Sequence, residues 1–540
     1  MNRLVAFALF ALALSAQDFS PPPWVRPGSI VNAASHLPMK LPGSALAPGA
    51  IVELEGLHFD PADVHVEIEA GGPAAEAVIV NATRERILVR MPLLNRTGAA
   101  RLFVTSRRKR SVGSEITLGA AAFGIYTVNG KGWGPAAALD SPGGSPVQLP
   151  PVHRGDRVTL SGTGLGKASA RGPEIYVGGH WASAVSRTQT GGVEHLSFIV
   201  PAEAPAGCAV PLMVRIGETF SNTSALSVET GASCASAELW FEHAPAVGET
   251  SGAALLLHSD VILELRRGNP VPFALDTFSG EFTRRIDDTA ATPLALIPPA
   301  GSCVSWSGGL SANELILPAL LGAPAGAPDT GLDLGPEVAA QTAALLDLDA
   351  GPELALTGPI GARTAVRSQH KPRVYSGMLG GNPPVQRIQP TPLFLNPGEY
   401  RIAIPGGVDV SPAVASLRFP EPIRWRNRDT IAVLDRALGV QSEWTTPSGY
   451  TALVFAWNID RRNSLAGFAL CVAPPGATKF RIPPSALAHL PVTSGAPSEL
   501  SLGFLGVAAV PLDPVPFRAK GIDRGTLIAA SLAGRTVIVK

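Results

Sequence analysis

The chain has 540 residues, of which 46% are apolar and only 16% charged, with 57 glycines and 51 prolines. A chain this apolar can bury enough surface to escape disorder, and its length and turn content suggest roughly three to five domains of ordinary size. Lys plus Arg and Asp plus Glu both number 43, so the net charge is zero and no overall field draws the protein to nucleic acid or to an anionic membrane.

Met1-Asn-Arg3 leads into an apolar run from Leu4 to Leu14 and then into small residues, Ser15-Ala16. This is the pattern of a secretory signal peptide, with cleavage expected near Ala16. A membrane anchor needs about 18 apolar residues, and this run breaks sooner at Gln17 and Asp18, so the mature chain is expected to be exported and to have no membrane span. Residues 17–27 carry Pro21-Pro22-Pro23 and Pro27; without N–H groups they cannot join a ladder and form an extended lead-in.

Two later stretches say nearly the same thing. Aligning Gly49 with Gly155 also aligns Val52 with Val158, Leu54 with Leu160 and Gly56 with Gly162, a repeat of turn, alternating strand and glycine that signals tandem domains. Around the first copy, 52–54, 64–68, 77–80, 87–91 and 101–105 alternate apolar and polar residues between Gly, Pro or Asn turns; around the second, 158–160, 174–177, 196–200, 210–214 and 225–228 do so. Such short alternating strands predict antiparallel sandwiches with one buried face per sheet, and about a hundred residues per copy suits an immunoglobulin-like sandwich.

Val31-Asn-Ala-Ala-Ser35, Ala47-Pro-Gly-Ala-Ile-Val52, Gly132-Trp-Gly-Pro-Ala-Ala-Ala138, Leu160-Ser-Gly-Thr-Gly-Leu-Gly166, Val200-Pro-Ala202, Pro205-Ala-Gly207 and Ser221-Asn-Thr-Ser224 together resemble the tandem IPT/TIG-type immunoglobulin-like modules of large secreted bacterial proteins. The resemblance covers about residues 28–230. It implies a fold and an extracellular setting, and carries over no catalytic residue. Cys208 departs from it, standing where a polar residue is expected after Pro-Ala-Gly. Asn396-Pro-Gly-Glu-Tyr400, Pro405-Gly-Gly-Val-Asp-Val410, Trp425-Arg-Asn-Arg-Asp429 and Phe480-Arg-Ile-Pro-Pro484 resemble a C-terminal β module that follows such modules.

From residue 232 on, short runs bounded by Pro and Gly again read as strands; only 337–348 offers a helical spacing of apolar residues. The predicted fold class is therefore all-β: tandem immunoglobulin-like sandwiches at 28–127 and 128–230, then β-rich domains at 231–420 and 421–540. Two prolines at Pro420-Glu-Pro422 mark that last boundary.

In an oxidising compartment Cys208, Cys234, Cys303 and Cys471 are candidates for two disulfides with three connectivities; isolated buried thiols are the alternative. Antiparallel return of the strand after Cys208 favours Cys208 with Cys234, leaving Cys303 with Cys471. The competing choice joins Cys234 to Cys303.

No His-Glu-x-x-His, Gly-x-Ser-x-Gly or phosphate-loop pattern occurs, and no catalytic, cofactor or metal site is assigned. Gly162-Thr-Gly164-Leu-Gly166 leads back to a strand, whereas a dinucleotide fingerprint must open a helix. Arg154-Gly155-Asp156 reads as a tight turn, since its sister turn Pro48-Gly49-Ala50 lacks the charges. Asp347 with Asp349, and Asp287-Asp288, fall short of the six to eight oxygens calcium wants. Arg107, Arg108, Lys109 and Arg110 are expected to cap a hairpin and offer a surface contact. Trp133, Trp181 and Trp306 are the candidates for stacking on sugars, against the commoner role of tryptophan in a core.

The leading reading is a secreted, non-catalytic multidomain protein acting in adhesion, cell-surface structure or extracellular ligand binding, its partner a polysaccharide or a surface protein. The rival is an extracellular hydrolase with its active site in 232–540 and the first two modules as spacers.

Overall fold

Alternation over residues 51–57 and 157–163 has the consequence it must have in an extended chain: one set of side chains enters a core and the other faces out. The computed structural model describes residues 21–137, 148–149, 151–166, 172–230, 234–235, 238–239, 242–243, 247–264, 268–286, 297–309, 345–368, 374–382, 389–493 and 501–540, and both stretches are strands, Ile51–Leu57 and Arg157–Thr163. Val52 and Leu54 pack with Ile87 and Val89 of the neighbouring strand and with Val66, Ile68, Leu102 and Val104 of the facing sheet. Val158 and Leu160 pack in the same way with Leu196 and Phe198, and with Ile175, Val177, Leu212 and Val214. Each such side chain contributes about 1.5–3 kcal/mol by leaving water.

The repeat holds in strand order, with Ala75–Glu76 and Val78–Ala82 of the first module answered by the single strand His180–Thr190 in the second. One sheet of the first module runs Trp24–Val25, Ile51–Leu57, Arg86–Arg90, Val78–Ala82; its counterpart runs Gly124–Ile125, Arg157–Thr163, Val193–Ile199, His180–Thr190. The facing layers order Ser114–Leu118, Gly98–Ser106, Val64–Glu69 and Ser224–Val228, Gly207–Ile216, Glu174–Val177. In the second module His180–Thr190 also pairs with Glu174–Val177 and joins the two layers into one eight-stranded sheet, whereas the first module's two sheets stay separate. Val25 lies opposite Gly56 as Ile125 lies opposite Gly162. A Cβ on Gly56 would come within 2.5 Å of the Phe59 ring, and one on Gly162 within 2.1 Å of the Phe123 ring. An aromatic ring lies over each glycine, which is why both copies need one.

Two buried polar side chains weld the modules. Asn32 accepts from the amides of Ala34 and Ser35 and donates to the carbonyls of Ala122 and Thr163. The Thr163 hydroxyl accepts from Ile51 N–H and donates to Gly192 C=O.

The C-terminal unit is built on one 15-stranded sheet. At its centre the 18-residue strand Ile522–Val539 runs parallel to Thr250–Leu263 and antiparallel to Ser501–Pro511. Leu527 and Ala529 enter one core with Leu354, Tyr375, Tyr400 and Phe419, while Ala533, Val537 and Val539 enter a second with Trp425, Trp444 and Leu505. Residues 420–422 fall between these two cores, yet strands from both sides of them share the sheet. Leu345–Asp347, within the 337–348 stretch of helical spacing, is instead a strand, because pairing with Thr283–Arg285 satisfies its backbone in the sheet; 337–344 lie outside the described residues.

Cys303 and Cys471 are register partners joined by a disulfide, with Cα atoms 4.0 Å apart. This excludes the competing Cys234–Cys303 pairing. Cys208 is itself disulfide-bonded; the side chain of Cys234 lies outside the described residues, and its short strand Cys234–Ala235 pairs with Gln148–Leu149.

The three parts converge on His489, which is 3% exposed. Its ring nitrogens lie 3.0 Å from Pro42 C=O in the first module and 2.7 Å from Ser221 C=O in the second. Leu37 and Leu41 pack with Leu465 beside it.

Candidate functional site

The strand Glu174–Val177 sends Ile175 and Val177 into the second module's core, which leaves Glu174 and Tyr176 on the outer face. Register places Trp181 on one side of Tyr176 and Met213 on the other, so a row Trp181, Tyr176, Met213 crosses three strands. The adjacent row is Ser183, Glu174, Arg215, Phe220. Trp181 is 56% exposed. The Tyr176 and Phe220 rings are 6.4 Å apart, and the Arg215 guanidinium lies 5.7 Å from the first and 6.0 Å from the second. Arg215 is fixed there by an ion pair with Glu174, its Nε donating over 2.6 Å. Burial raises the Tyr176 phenol above its ordinary range, so its hydroxyl stays neutral and can both donate and accept.

Met213 points outward yet is 5% exposed, because the C-terminal unit docks against this end of the row. The Thr223 and Ser305 hydroxyls meet at 2.9 Å across that contact. Between the two surfaces is a crevice of about 240 Å³, lined among others by Tyr176, Met213, Ser302, Cys303, Phe480 and Arg481. Arg481 donates through Nη2 to Leu438 C=O. The arrangement is a row on the outer face of a sheet, from the exposed Trp181 through the half-buried Tyr176, that ends in a crevice with hydroxyls, a thioether and a guanidinium. Such a surface can stack on the apolar face of a ring and hydrogen-bond its rim.

Of the three tryptophans singled out in the sequence, Trp133 is buried at 8% exposure, Trp306 packs against an apolar cluster of the C-terminal unit, and Trp181 stands in the open row. The basic residues 107–110 do turn a hairpin: Arg107 and Arg108 take φ of 49° and 61° between Gly98–Ser106 and Lys109–Arg110. Arg107 pairs with Asp60 at 2.8 Å, while Arg110 pairs with Glu67 at 3.1 Å and Glu69 at 2.6 Å and covers the Phe103 ring at 3.6 Å. Much of that tip's charge is thus spent within the module.

Arg154-Gly155-Asp156 forms the turn before Arg157–Thr163, with the Asp156 carboxylate accepting from His153 N–H and Arg154 Nε donating to Ala204 C=O. Asp349 pairs with Arg367 at 3.1 Å; Asp287-Asp288 lie outside the described residues. Among the described residues no cluster of three metal-ligating side chains occurs.

One constellation was invisible in the sequence. Asp276, His258 and Ser531 are register partners on three adjacent strands, and His258 Nδ1 lies 2.7 Å from Asp276 Oδ1. Its polar groups hold crossing segments in place. Asp276 Oδ2 accepts from the amides of Phe394 and Leu395, and Ser531 Oγ accepts from Ile423 N–H. With Asp276 0% and Ser531 1% exposed, the row is a polar seam between the two C-terminal cores.

No protein-family model and no curated protein matches the chain. Among solved structures it has likeness to SGBP-B of the Bacteroides ovatus mixed-linkage glucan utilization locus (13% identity, 34% of this chain and 45% of that one, TM-score 0.20). It also has likeness to domains 5–6 of the S-layer protein SbsC (14%, 39% and 100%, TM-score 0.18) and to the plexin A4 extracellular region (11%, 40% and 19%, TM-score 0.17). The chain therefore spans less than half of the plexin and glucan-locus chains. The strand pairing and cores above show the all-β fold. No helix among the described residues is long and apolar enough to cross a membrane.

Proposed function

We propose that this is an exported multidomain β-sandwich protein that binds an extracellular polysaccharide, in adhesion or at a cell surface, through the outer face of its second module. In this reading the first two modules are of the IPT/TIG type, residues 1–16 are removed on export, and no catalytic step is involved. The observation that carries it is the 56% exposure of Trp181 in register with Tyr176. Leaving a large indole in water forfeits burial energy of order 1.5–3 kcal/mol, and an exposed aromatic in a row with a second ring suits a ligand that supplies the missing apolar contact.

A glycan array probed with the mature chain and with Trp181→Ala tests this. The reading requires a glycan signal that the substitution removes. An identical pattern from both proteins would sink it.

A further inference from the structure

The crevice continues onto a second surface. The three-stranded sheet Arg424–Trp425, Val440–Thr445, Lys479–Ile482 turns Trp425, Val440, Trp444 and Ile482 into a core, so alternation puts Arg424, Arg426, Gln441, Glu443, Lys479 and Arg481 on the opposite face. Register lines up Glu443 with Lys479, and Gln441 with Arg481; Arg426 N–H donates to Glu443 C=O, which places Arg426 on the other side of Glu443. The face thus carries four exposed cations around one partly buried carboxylate. Glu443 Oε1 accepts from Gln441 Nε2. Arg426 and Arg481 donate to the carbonyls of Thr478 and Leu438, contacts that orient a guanidinium without neutralising it. No carboxylate lies within 4 Å of any of the four cations among the described residues, in contrast to Arg107 and Arg110.

Neighbouring strands are about 4.8 Å apart, so Arg426 and Lys479, two strands apart, are about 10 Å apart across the row. Arg481 belongs to both this face and the crevice. On a chain of zero net charge, a local surface of +3 that abuts an aromatic row is a specific feature.

We infer that the ligand is an acidic polysaccharide, a polymer of uronic acid residues, whose sugar rings stack along Trp181 and Tyr176 while its carboxylates are held by Arg481, Lys479, Arg426 and Arg424. The inference rests on the Trp181 reading and adds its ligand class. Carboxylates suit this surface because guanidinium forks bind them in plane, and register pairing across neighbouring strands, about 4.8 Å apart, sets the four cations on one face.

The test is calorimetric titration of the mature chain with oligogalacturonate, with the same oligosaccharide after carboxyl reduction, and with single-stranded DNA of matched charge. Three variants are compared: Trp181→Ala, Arg426→Gln with Lys479→Gln, and those two glutamines together with Arg424→Gln and Arg481→Gln. All four cations are exposed, and unchanged circular dichroism verifies folding. We expect oligogalacturonate to bind about tenfold or more tightly than its reduced form, as removing several charge-assisted contacts requires. That preference should shrink in the double glutamine variant, vanish in the fourfold one, and weaken with added salt. Equal affinity for the reduced oligosaccharide, or DNA binding as tight as oligogalacturonate, overturns the inference. If Trp181→Ala abolishes binding of both oligosaccharides while the glutamine variants change neither, the acidic class falls and the stacking site stands. If Trp181→Ala changes neither, the stacking site falls.

Discussion

Replacing both Cys303 and Cys471 with alanine should cost the C-terminal unit about as much as its most damaging single core truncation, about 5 kcal/mol. The bridge spans a sequence separation of 168 residues; in the chain-entropy model a loop of that length restricts the unfolded chain by about 5 kcal/mol at 25 °C. The folded side of the comparison changes little, because seven register pairs already hold Cys303–Gly309 against Leu465–Val472. That strand is the terminal one in the sheet order and is paired along one edge. Without the bridge it becomes the first element free to fray. Urea unfolding followed by tryptophan fluorescence is the assay, since Trp306 lies on the tethered strand and Trp457 pairs across the next one, opposite Phe468. The double variant should lower the midpoint of the transition those residues report, relative to the oxidised wild type. Because the chain has several cores, each transition must be read separately. An unchanged midpoint in the C-terminal transition would refute the loop-closure reasoning.

Leu160→Ala should destabilise the second module by about 2–5 kcal/mol, as Leu54→Ala should the first, each read as a urea midpoint; both leucines are 0% exposed. Gly162→Ala should be costlier than an exposed-strand alanine, because its Cβ would come 2.4 Å from Gly124 C=O as well as against Phe123; a melting temperature equal to wild type would show that the ladder there can open. Burial holds His489 and His36 below the ordinary imidazole range. The unfolded chain then binds more protons than the folded one at pH values between their lowered folded pKa and about 6.5, so stability should fall as the pH drops through that window. Thermal melts at pH 7.5 and 5.5 test the sign, and His489→Gln should flatten part of the slope. A melting temperature that rises on acidification would contradict it.

The two modules were legible because a strand with one buried face must alternate, and a glycine under an aromatic ring cannot be replaced cheaply; Val52, Leu54 and Gly56 and their partners Val158, Leu160 and Gly162 wrote that twice. Motif residues gain physical reasons: Asn32 welds the modules, and Asn222 bonds Ile125 and Gly132 through both ends of its amide. Pairing between distant segments was not legible. The parallel partnership of Thr250–Leu263 with Ile522–Val539 spans more than half the chain and leaves no local trace, so the Asp276, His258 and Ser531 seam could not be read. The site was legible in one residue. Trp181 stood out as an aromatic, but Tyr176, Met213 and Arg481 join it only through register and docking. The basic run 107–110 was conspicuous because its charges are contiguous in sequence; the face holding Arg424, Arg426, Lys479 and Arg481 was missed because its charges alternate with core residues on separate strands.

Hydrogen exchange of the mature chain with and without saturating oligogalacturonate tests the central claim most directly. Binding across the aromatic row, the crevice and the basic sheet should slow exchange over residues 174–183, 211–215, 424–426 and 479–482, leaving the hairpin at 105–110 unchanged. Bound oligosaccharide with protection confined to that hairpin or to the first module would contradict the account.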